Sequence, residues 1–507
     1  MTAPYFMGID QGTQRLKVAL FNTEGKQIYL TASPYETQHP HQGWAEQNPN
    51  DWWAALKICI GRCLAESGVK KEEIKAIGVA ATSATVLCCD QKGEPLDDAI
   101  IWMDVRAYEE AKLISQTQHP VLKYAGGSES EEWMVPKALW LKRNKPELYR
   151  KAQHIVESLD WLTFKLTGSW TASLCNVTNS WNYVPALGGW TPEFFEQIEL
   201  AEILEKWPQK VLPIGAPVGY LSSQSAADLG LEKNTLVVEG GIDSHMGMLG
   251  MGAVDLGELA FTIGTSNVHL ILSREPVFVP GLWGPYQHAI IKDRWLLEGG
   301  QTTSAIILKW LENSLTQNGA GPNNFYEVFD ALAREIPPGS EGLVMLDTWQ
   351  GNRTPWRDTL ARGALWGLSL KHSMAHIYRA TMESIAYGTR NIIDTMQENR
   401  IEIETIRVSG GGAQNLFWLQ IFSDVCRLPV SVPKNTEATI FGAAIAAAVG
   451  AGYYPSIIEA CRSMVQITQT LSPNLNHSQA YDFYYTKYLE TYYALKDLMH
   501  EVSLKLV

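Results

Sequence analysis

The sequence predicts an α/β protein built from two similar domains, and three observations support this prediction. Segments typical of strands alternate with segments of helical periodicity in both halves of the chain. Two stretches, 7–22 and 258–273, share the pattern of strand, Gly-Thr turn and strand, and they lie about half a chain apart. A length of 507 residues is enough for two or three domains with full cores. We place the boundary so that the domains are 1–242 and 243–507.

The first domain opens with the hairpin at 7–22, because apolar residues flank a small polar turn on both sides. Asn48 and Asp51 mark a helix start, as a cap and an acidic first turn. In order, the predicted elements after the hairpin are a strand at 27–31, a loop at 34–50, a helix to about 67, strands at 74–81, 86–90 and 100–102, helices between 107 and 166, loops over 168–191, and a strand at 236–241.

The second domain begins with a helix at 246–252, followed by the hairpin at 258–273. The elements predicted after it are helices at 302–313, 325–334 and 373–397, a strand at 406–409, and helices at 414–426 and 438–450. The last of these helices consists of small residues, so we expect it to pack closely on a neighbour.

Composition and charge argue against several functional classes. The net charge is −13 and no dense basic run is visible, which disfavours a nucleic-acid partner but leaves a nucleotide ligand open. No apolar run is long enough to span a membrane, and the first residues lack the basic region of a signal peptide. The seven cysteines form no pair of CxxC units, so we expect free thiols rather than zinc. The sequence therefore predicts a cytoplasmic protein.

The turns of the two hairpins are candidate phosphate sites. Backbone N–H groups and a threonine hydroxyl in such a turn can bind an anion, and a carboxylate beside it, here Asp10, can hold Mg²⁺ directly or through water. One such turn is equally typical of an ordinary edge hairpin. Two of them, one in each half, suggest two domains that hold a nucleotide between them.

A glycine run offers a second kind of nucleotide contact. Gly410, Gly411 and Gly412 follow a strand and precede a helix, so a flat or anionic group can approach their backbone closely. A tight strand–helix turn would account for the same residues. The chain contains neither a G-x-G-x-x-G fingerprint at this point nor a G-x-x-x-x-G-K-[ST] loop, which excludes a nucleotide site of the P-loop type.

Three groups of polar residues are candidates for the chemistry. Asp243 ends a strand among glycines, where it could accept a proton from an attacking hydroxyl near a γ-phosphate, although a helix N-cap is the alternative. Glu298 and Gln301 follow a strand and could bind vicinal hydroxyls, or they could form a capping turn. Asp104 and Arg106 could equally form a local ion pair.

Together, these motifs resemble the FGGY carbohydrate kinase family, within the actin/Hsp70-type ATPase superfamily. The resemblance runs from about residue 5 to about residue 452. It rests on GIDQGTQRLKV, GGIDSHMG, GTSNVH, GNRTP, SGGGAQN and EATIFGAA, in that order along the chain. It implies two ribonuclease-H-like domains with a deep interdomain cleft, ATP with Mg²⁺, and phosphoryl transfer to a hydroxyl of a small-molecule sugar or polyol. A homodimer is a further expectation from the family.

The resemblance also implies roles for individual residues. Asp243 would be the catalytic base and Asp10 the partner of Mg²⁺. The implied ATP-binding residues are Asp10, Gly12, Thr13, Gln14, Gly264, Thr265, Ser266, Gly411, Gly412 and Asn415. The implied sugar-binding residues are Ser83, Ala84, Asp104, Trp133, Ser244, Glu298 and Gln301.

Subfamily features resemble ribulokinases, through GGSESEEWMVPKALWL at 126–141 and IIWMDVRA at 100–107. This implies a ketopentose substrate, D-ribulose first, with L-ribulose, xylulose and a tetrose or polyol as alternatives. Ribulokinases tend to carry a lysine in the segment that corresponds to 176–183, and this chain has none there. Glycerol kinases carry an Arg-Glu pair near 82–84, which is also absent. A non-catalytic sugar sensor or a chaperone-like ATPase is the alternative from another class.

Overall fold

A computed structural model of the chain describes residues 4–316 and 324–505. The strands of the first half are β1 (Tyr5–Gln11), β2 (Arg15–Asn22), β3 (Gln27–Pro34), β4 (Glu46–Gln47), β5 (Ile74–Ala81), β6 (Val86–Cys89), β7 (Ala99–Ile100), β8 (His154–Glu157), β9 (Ala172–Ser173), β10 (Val211–Leu212), β11 (Pro217–Tyr220), β12 (Leu236–Val238) and β13 (Gly241–Ile242). Its helices are α1 (Pro49–Glu66), α2 (Tyr108–Gln116), α3 (Met134–Asn144), α4 (Pro146–Lys151), α5 (Ser158–Thr167), α6 (Leu174–Ser180), α7 (Pro192–Gln197), α8 (Ile203–Lys206) and α9 (Ser223–Leu229).

The second half begins with α10 (Asp243–Gly250). Its strands are β14 (Gly257–Ile263), β15 (Asn267–Ser273), β16 (Trp283–Gln287), β17 (Trp295–Gln301), β18 (Val344–Leu346), β19 (Ala364–Trp366), β20 (Ile403–Ser409), β21 (Val430–Pro433) and β22 (Ile467–Leu471). Its other helices are α11 (Ala305–Leu315), α12 (Phe325–Arg334), α13 (Met374–Glu398), α14 (Leu416–Cys426), α15 (Ala438–Gly450), α16 (Ile457–Met464) and α17 (Leu475–Leu504).

The main sheets of the two halves have the same internal order. In the first, β3, β2 and β1 are antiparallel neighbours, and β5 and β12 continue the sheet parallel to β1. In the second, β17, β15 and β14 are antiparallel neighbours, and β20 and β21 continue it in parallel. One Gly-Thr turn joins β1 to β2, and the other joins β14 to β15, so the two turns occupy equivalent places in the two sheets. The predicted α/β class with two similar halves is confirmed.

Helix α15 belongs to the second half in sequence but packs on the first sheet. A Cβ built on Gly8 of β1 would lie 2.2 Å from the Ile440 carbonyl oxygen, and one on Gly78 of β5 would lie 2.1 Å from that of Ala443. On its other side, α15 meets α10, since a Cβ on Gly442 would lie 1.9 Å from the Met246 carbonyl oxygen. The small residues of this helix thus permit direct backbone contact, as its composition predicted.

Several predicted elements differ from the structure. Glu298 and Gln301 are predicted to follow a strand, but both lie within β17 (Trp295–Gln301). The segment 168–191 is not all loop, because it contains the buried helix α6 at Leu174–Ser180. Its Asn, Thr and Ser residues have weak helix propensity, and tertiary hydrogen bonds to a buried glutamate decide its conformation. The helix predicted at 246–252 starts earlier, at Asp243, which is its first residue.

Across residues 4–316 and 324–505, none of the helices combines the length and the apolar character needed to cross a bilayer.

Candidate active site

The first hairpin places a buried carboxylate beside a lysine. Asp10 is the last residue but one of β1, and the antiparallel register sets it directly opposite Lys17 of β2. The Lys17 Nζ atom lies 3.8 Å from Asp10 Oδ2 and also donates to Glu437, which precedes α15. Burial raises the pKa of Asp10 to about 7, with Lys17 lowering it and Asp243 and Glu437 raising it. A buried acidic group of this kind is stabilised in its charged form by an added cation.

The turn of this hairpin is held by side chains from the rest of the first half. Trp102 Nε1 donates to Thr13 Oγ1 at 2.8 Å, and Gln47 Nε2 donates to the Thr13 carbonyl at 2.6 Å. The Gly12 N–H closes the turn onto the Arg15 carbonyl at 3.2 Å. Gln14 is exposed and uses only its backbone carbonyl, which accepts from the backbone N–H of Tyr35. The turn is thus rigid, yet its outer edge stays open.

The second hairpin turn is joined to the start of α11. The Gly264 and Thr265 carbonyls accept from the N–H groups of Ala305 and Ser304, at 3.1 and 3.0 Å. Within the turn, the Gly264 N–H donates to the Ser266 carbonyl at 3.1 Å. The Thr265 side chain is exposed, so its hydroxyl is free to meet a ligand.

The glycine run beside this hairpin combines a packing role with open space. Gly410 has φ = 87°, and a Cβ there would lie 2.4 Å from the Ile263 carbonyl oxygen, just before the Gly264 turn. A Cβ on Gly412 would lie 2.3 Å from Ile263 Cγ2, whereas a Cβ on Gly411 would meet nothing within 4 Å. Close packing therefore requires glycine at two of the three positions, and Gly411 leaves room for a flat ligand.

Asn415, the fourth predicted residue of this stretch, acts within the protein. Its Oδ1 atom caps α14 by accepting from the Trp418 N–H at 3.0 Å, and its Nδ2 atom donates to Asp330 at 2.8 Å. Its amide is therefore engaged at both ends.

Asp243 stands at the start of α10, the helix that packs against α15. Its Oδ1 atom accepts from the Ser244 N–H at 2.6 Å. Ser244, a predicted sugar-binding residue, thus contacts Asp243 through its backbone. Burial raises the pKa of Asp243 to about 6, the Ser244 bond and His245 lower it, and Glu298 raises it. Asp243 directly follows β13, whose Ile242 pairs with Ala81 of β5, and the neighbouring Ala80 of β5 pairs with Asp10 of the first hairpin. Asp243 therefore lies near that hairpin, and it raises the pKa of Asp10.

Several residues that are predicted to bind the sugar lie together next to aromatic side chains. Ala84 and Trp133 belong to one buried cluster, and Trp283 of β16 packs against it. Ala84 has φ = 52°, a conformation that few non-glycine residues adopt and that needs support from its surroundings. Beside it, the Ser83 hydroxyl donates to Asn179 Oδ1 of α6 at 3.1 Å.

Two buried ionic groups support this strained turn. Glu157 accepts from the Ala84 N–H at 2.9 Å, and Lys137 donates to the Ala84 carbonyl at 2.9 Å. Glu157 also accepts from Asn176, Ser180 and Trp181, so it joins the turn to α6. Both ionic groups are fully buried, so the turn at 83–84 is anchored to the protein core.

Glu298 points toward the same region from β17. Its side chain is 17% exposed, and its Oε2 atom lies 3.5 Å from the fully buried His245 Nε2. Arg353, from the GNRTP motif, lies over the Trp283 ring at 5.2 Å and 3.9 Å from Glu132. The described side chains here thus combine aromatic faces with mixed charges.

Asp104 and Gln301 are buried and fully engaged, so the structure does not expose them to a ligand. Asp104 accepts from the Ala45 N–H at 2.6 Å and forms an ion pair with Arg106, which is the local pair that the sequence left open. Gln301 donates to Asp347 and to the Ile385 carbonyl, and it accepts from Asn267 and Thr389. The observed partners of both side chains lie within the protein.

Sequence reasoning missed Lys17, Glu437, His245, Trp283 and Arg353. Lys17 had a readable signal, because counting back from the turn of a tight hairpin pairs it with Asp10. The others are brought in by long-range packing, which leaves no local pattern.

The chain matches known proteins over nearly its whole length. The N-terminal domain of the FGGY family of carbohydrate kinases matches residues 5–250, and its C-terminal domain matches residues 259–451. The FGGY carbohydrate kinase domain-containing protein of Homo sapiens is 31% identical over 96% of each chain. Ribulokinase 2 of Staphylococcus saprophyticus is 30% identical over 98% of this chain and 97% of that one.

The fold agrees with this match. The crystal structure of xylulose kinase from Rhodospirillum rubrum superposes with a TM-score of 0.88 at 22% identity, covering 98% of this chain and 100% of that one. This likeness confirms the predicted two-domain kinase fold. The motifs, the fold and the family matches agree, and the chain belongs to the FGGY family of carbohydrate kinases.

Proposed function

We propose that this kinase transfers the γ-phosphoryl group of ATP to the terminal hydroxyl of a ketopentose, converting D-ribulose to D-ribulose 5-phosphate. The observation that carries the proposal is the position of Asp243, which follows β13 next to β5, the strand that pairs with Asp10 of β1. On the predicted sugar side, Glu298 raises the pKa of Asp243. The choice of ribulose is supported by the ribulokinase-like segments 100–107 and 126–141 and by the ribulokinase among the relatives.

In this proposal, Asp243 accepts the proton of the terminal hydroxyl while the sugar oxygen attacks the γ-phosphorus. The bond between that phosphorus and the β–γ bridging oxygen breaks, and ADP leaves with its electron pair. A pKa of about 6 suits the role, because the carboxylate is ionised at neutral pH yet basic enough to take a proton. The Gly12–Thr13 and Gly264–Thr265 turns would hold the phosphates from opposite halves.

The residues around Asp10 fit a magnesium ion. Its carboxylate is only 7% exposed, and burial disfavours its charged form, so a divalent cation would stabilise it. The described residues offer no group of three acidic, histidine or cysteine ligands, so water and phosphate oxygens would complete the coordination, as Mg²⁺ prefers. When bound, Mg²⁺ would neutralise charge on the ATP phosphates.

The test uses a coupled assay to measure the release of ADP from Mg-ATP in the presence of a panel of acceptors. The panel is D-ribulose, L-ribulose, D- and L-xylulose, ribitol, erythritol, erythrulose and glycerol. We expect the highest kcat/KM with D-ribulose. A higher value with another member would move the assignment to that acceptor, and no rate above background ATP hydrolysis with any of them would refute a pentulose kinase.

The role of Asp243 has its own test. Asp243→Asn should lower kcat by about 10²–10⁴ while the Kd for ATP, measured by calorimetry, stays within about twofold. A parallel loss of turnover and ATP affinity would contradict the assignment of this residue as the base.

A further inference from the structure

His245 lies directly behind the predicted sugar ligand Glu298. It is the third residue of α10, and its ring is fully buried. One ring nitrogen, Nε2, lies 3.5 Å from Glu298 Oε2, and the other, Nδ1, lies 3.1 Å from the Cys175 Sγ atom of α6. The imidazole therefore connects three elements: α10, which carries Asp243; β17, which carries Glu298; and α6, which carries Cys175.

The surroundings of His245 favour a positively charged ring. Glu298 faces it from β17, Asp243 acts on it from the same helix, Cys175 meets it from α6, and the Tyr286 ring of β16 lies 6.4 Å away. Burial lowers the pKa of His245, whereas its contact with Cys175 and the nearby Glu298 carboxylate raise this pKa, and the net direction is upward. The segment 176–183 contains no lysine or arginine that could supply this charge.

We propose that His245 is a positioning residue that holds the Glu298 carboxylate in the orientation that binds the sugar. Among the described residues, the ionic contact of Glu298 is with His245, and 17% of the Glu298 side chain is exposed. Without a cation behind it, the carboxylate would be free to rotate and would also raise the charge repulsion at Asp243. This inference rests on the proposed function, because it takes Glu298 as a sugar ligand.

A packing role for His245 would look different in kinetics. A residue that only fills the core changes stability, and it affects the KM for the sugar and the KM for ATP alike when the site loosens. A residue that acts through Glu298 changes the KM for the sugar alone, and its effect disappears when Glu298 cannot form the ion pair. The two roles are therefore separable without a structure.

The experiment is a double-mutant cycle on the full-length enzyme with the sugar that the wild type uses best. His245→Leu should raise the KM for the sugar by about 10-fold and leave the KM for ATP within about twofold. His245→Gln, which keeps an N–H donor, should recover most of that loss. In a Glu298→Gln background, His245→Leu should add less than about twofold, because the ion pair is already absent.

Control variants keep the result interpretable. His154→Gln changes a histidine of β8 whose ring packs at a tilt against Trp170, with the ring centres 4.4 Å apart, and it should leave both KM values unchanged. Thermal melts of all variants show whether each is folded. The inference is overturned if His245→Leu acts equally in both backgrounds, if it raises both KM values in parallel, or if His245→Gln behaves like His245→Leu. If the wild type turns over no sugar at all, the proposed function fails, and the inference fails with it.

Discussion

Replacing Glu157 by glutamine should weaken both the fold and sugar binding. The Glu157 carboxylate is fully buried, and each of its oxygens accepts two hydrogen bonds. Oε1 accepts from the Ser180 hydroxyl at 2.7 Å and from Trp181 Nε1 at 2.6 Å, while Oε2 accepts from the Ala84 N–H at 2.9 Å and from Asn176 Nδ2 at 2.6 Å. A glutamine retains one such oxygen and turns an NH₂ group toward the other two donors.

The cost follows from which donors can adapt. If the amide oxygen serves Ala84 and Asn176, the Ser180 hydroxyl can rotate to accept, but the Trp181 indole can only donate. In the opposite orientation, the Ala84 N–H loses its acceptor. One buried donor is lost either way, at about 1–3 kcal/mol, and the remaining bonds weaken by about 1 kcal/mol each because the acceptor is neutral. Easier burial of a neutral amide offsets part of this, which leaves a net loss of about 2–4 kcal/mol.

The assay compares thermal unfolding and steady-state kinetics at pH 8. Glu157→Gln should lower the melting temperature by about 5–15 °C and raise the KM for the sugar, since the Ala84 turn loses support, with little change in the KM for ATP. Glu239→Gln is the matched comparison and should shift stability in the opposite direction: Glu239 is equally buried, but the hydrogen bond that the described structure gives its carboxylate is one of 3.3 Å from the Gly240 N–H. Unchanged stability and an unchanged sugar KM in Glu157→Gln would refute the reasoning.

Three further predictions follow from the site and the core. In the pH profile of kcat/KM, the acidic limb should have its midpoint near pH 6, because Asp243 must be deprotonated to act and burial raises its pKa to about 6. A midpoint near pH 4 would show that burial does not raise this pKa. Burial raises the pKa of Glu239 from 4.5 to about 7, so the cost of its charge to stability grows from about pH 4.5 and is complete above pH 7. Glu239→Gln should stabilise the protein by up to about 3 kcal/mol at pH 8, and this gain in urea unfolding should vanish below pH 4.5. Gly412→Ala should lower the melting temperature, because the added Cβ meets Ile263. Gly411→Ala has open space around it, so it should keep the wild-type melting temperature and raise only the KM for ATP. Equal melting temperatures for the two variants would contradict this packing account.

The parts of the site that lie close together in sequence were predictable from the sequence. Each Gly-Thr turn is flanked by the strands that position it, so the local pattern carried both the element and the candidate ligand. The glycine run at 410–412 was similarly visible, although only the structure shows that two of its members are required by contact with Ile263. Asp243 was identifiable as a strand-end carboxylate, but its coupling to Asp10 depends on the packing of α10 between the halves.

The remaining features depend on contacts between distant residues. Helix α6 has the composition of a loop, and its helical state relies on donors that reach Glu157. Gln301 has the polar side chain of a surface ligand, yet Asp347 and Thr389 enclose it in the interior. The sequence shows His245 only as a histidine on a helix, and its contact with Glu298, which lies in a sheet, is apparent only from the structure. No short-range periodicity encodes such partners.

The packing of α15 on the first sheet has a consequence for the order in which the chain matures on the ribosome. The apolar face of that sheet, including Phe6, Ala76 and Val238, shares one core with α15 residues such as Phe441 and Ala444. Roughly 190 residues separate the end of α10 from the start of α15, so translation takes about 10–40 s to bridge them. During that interval the first sheet has all its strands but lacks α15, so the part of its apolar face that α15 covers in the folded protein waits for a partner made much later.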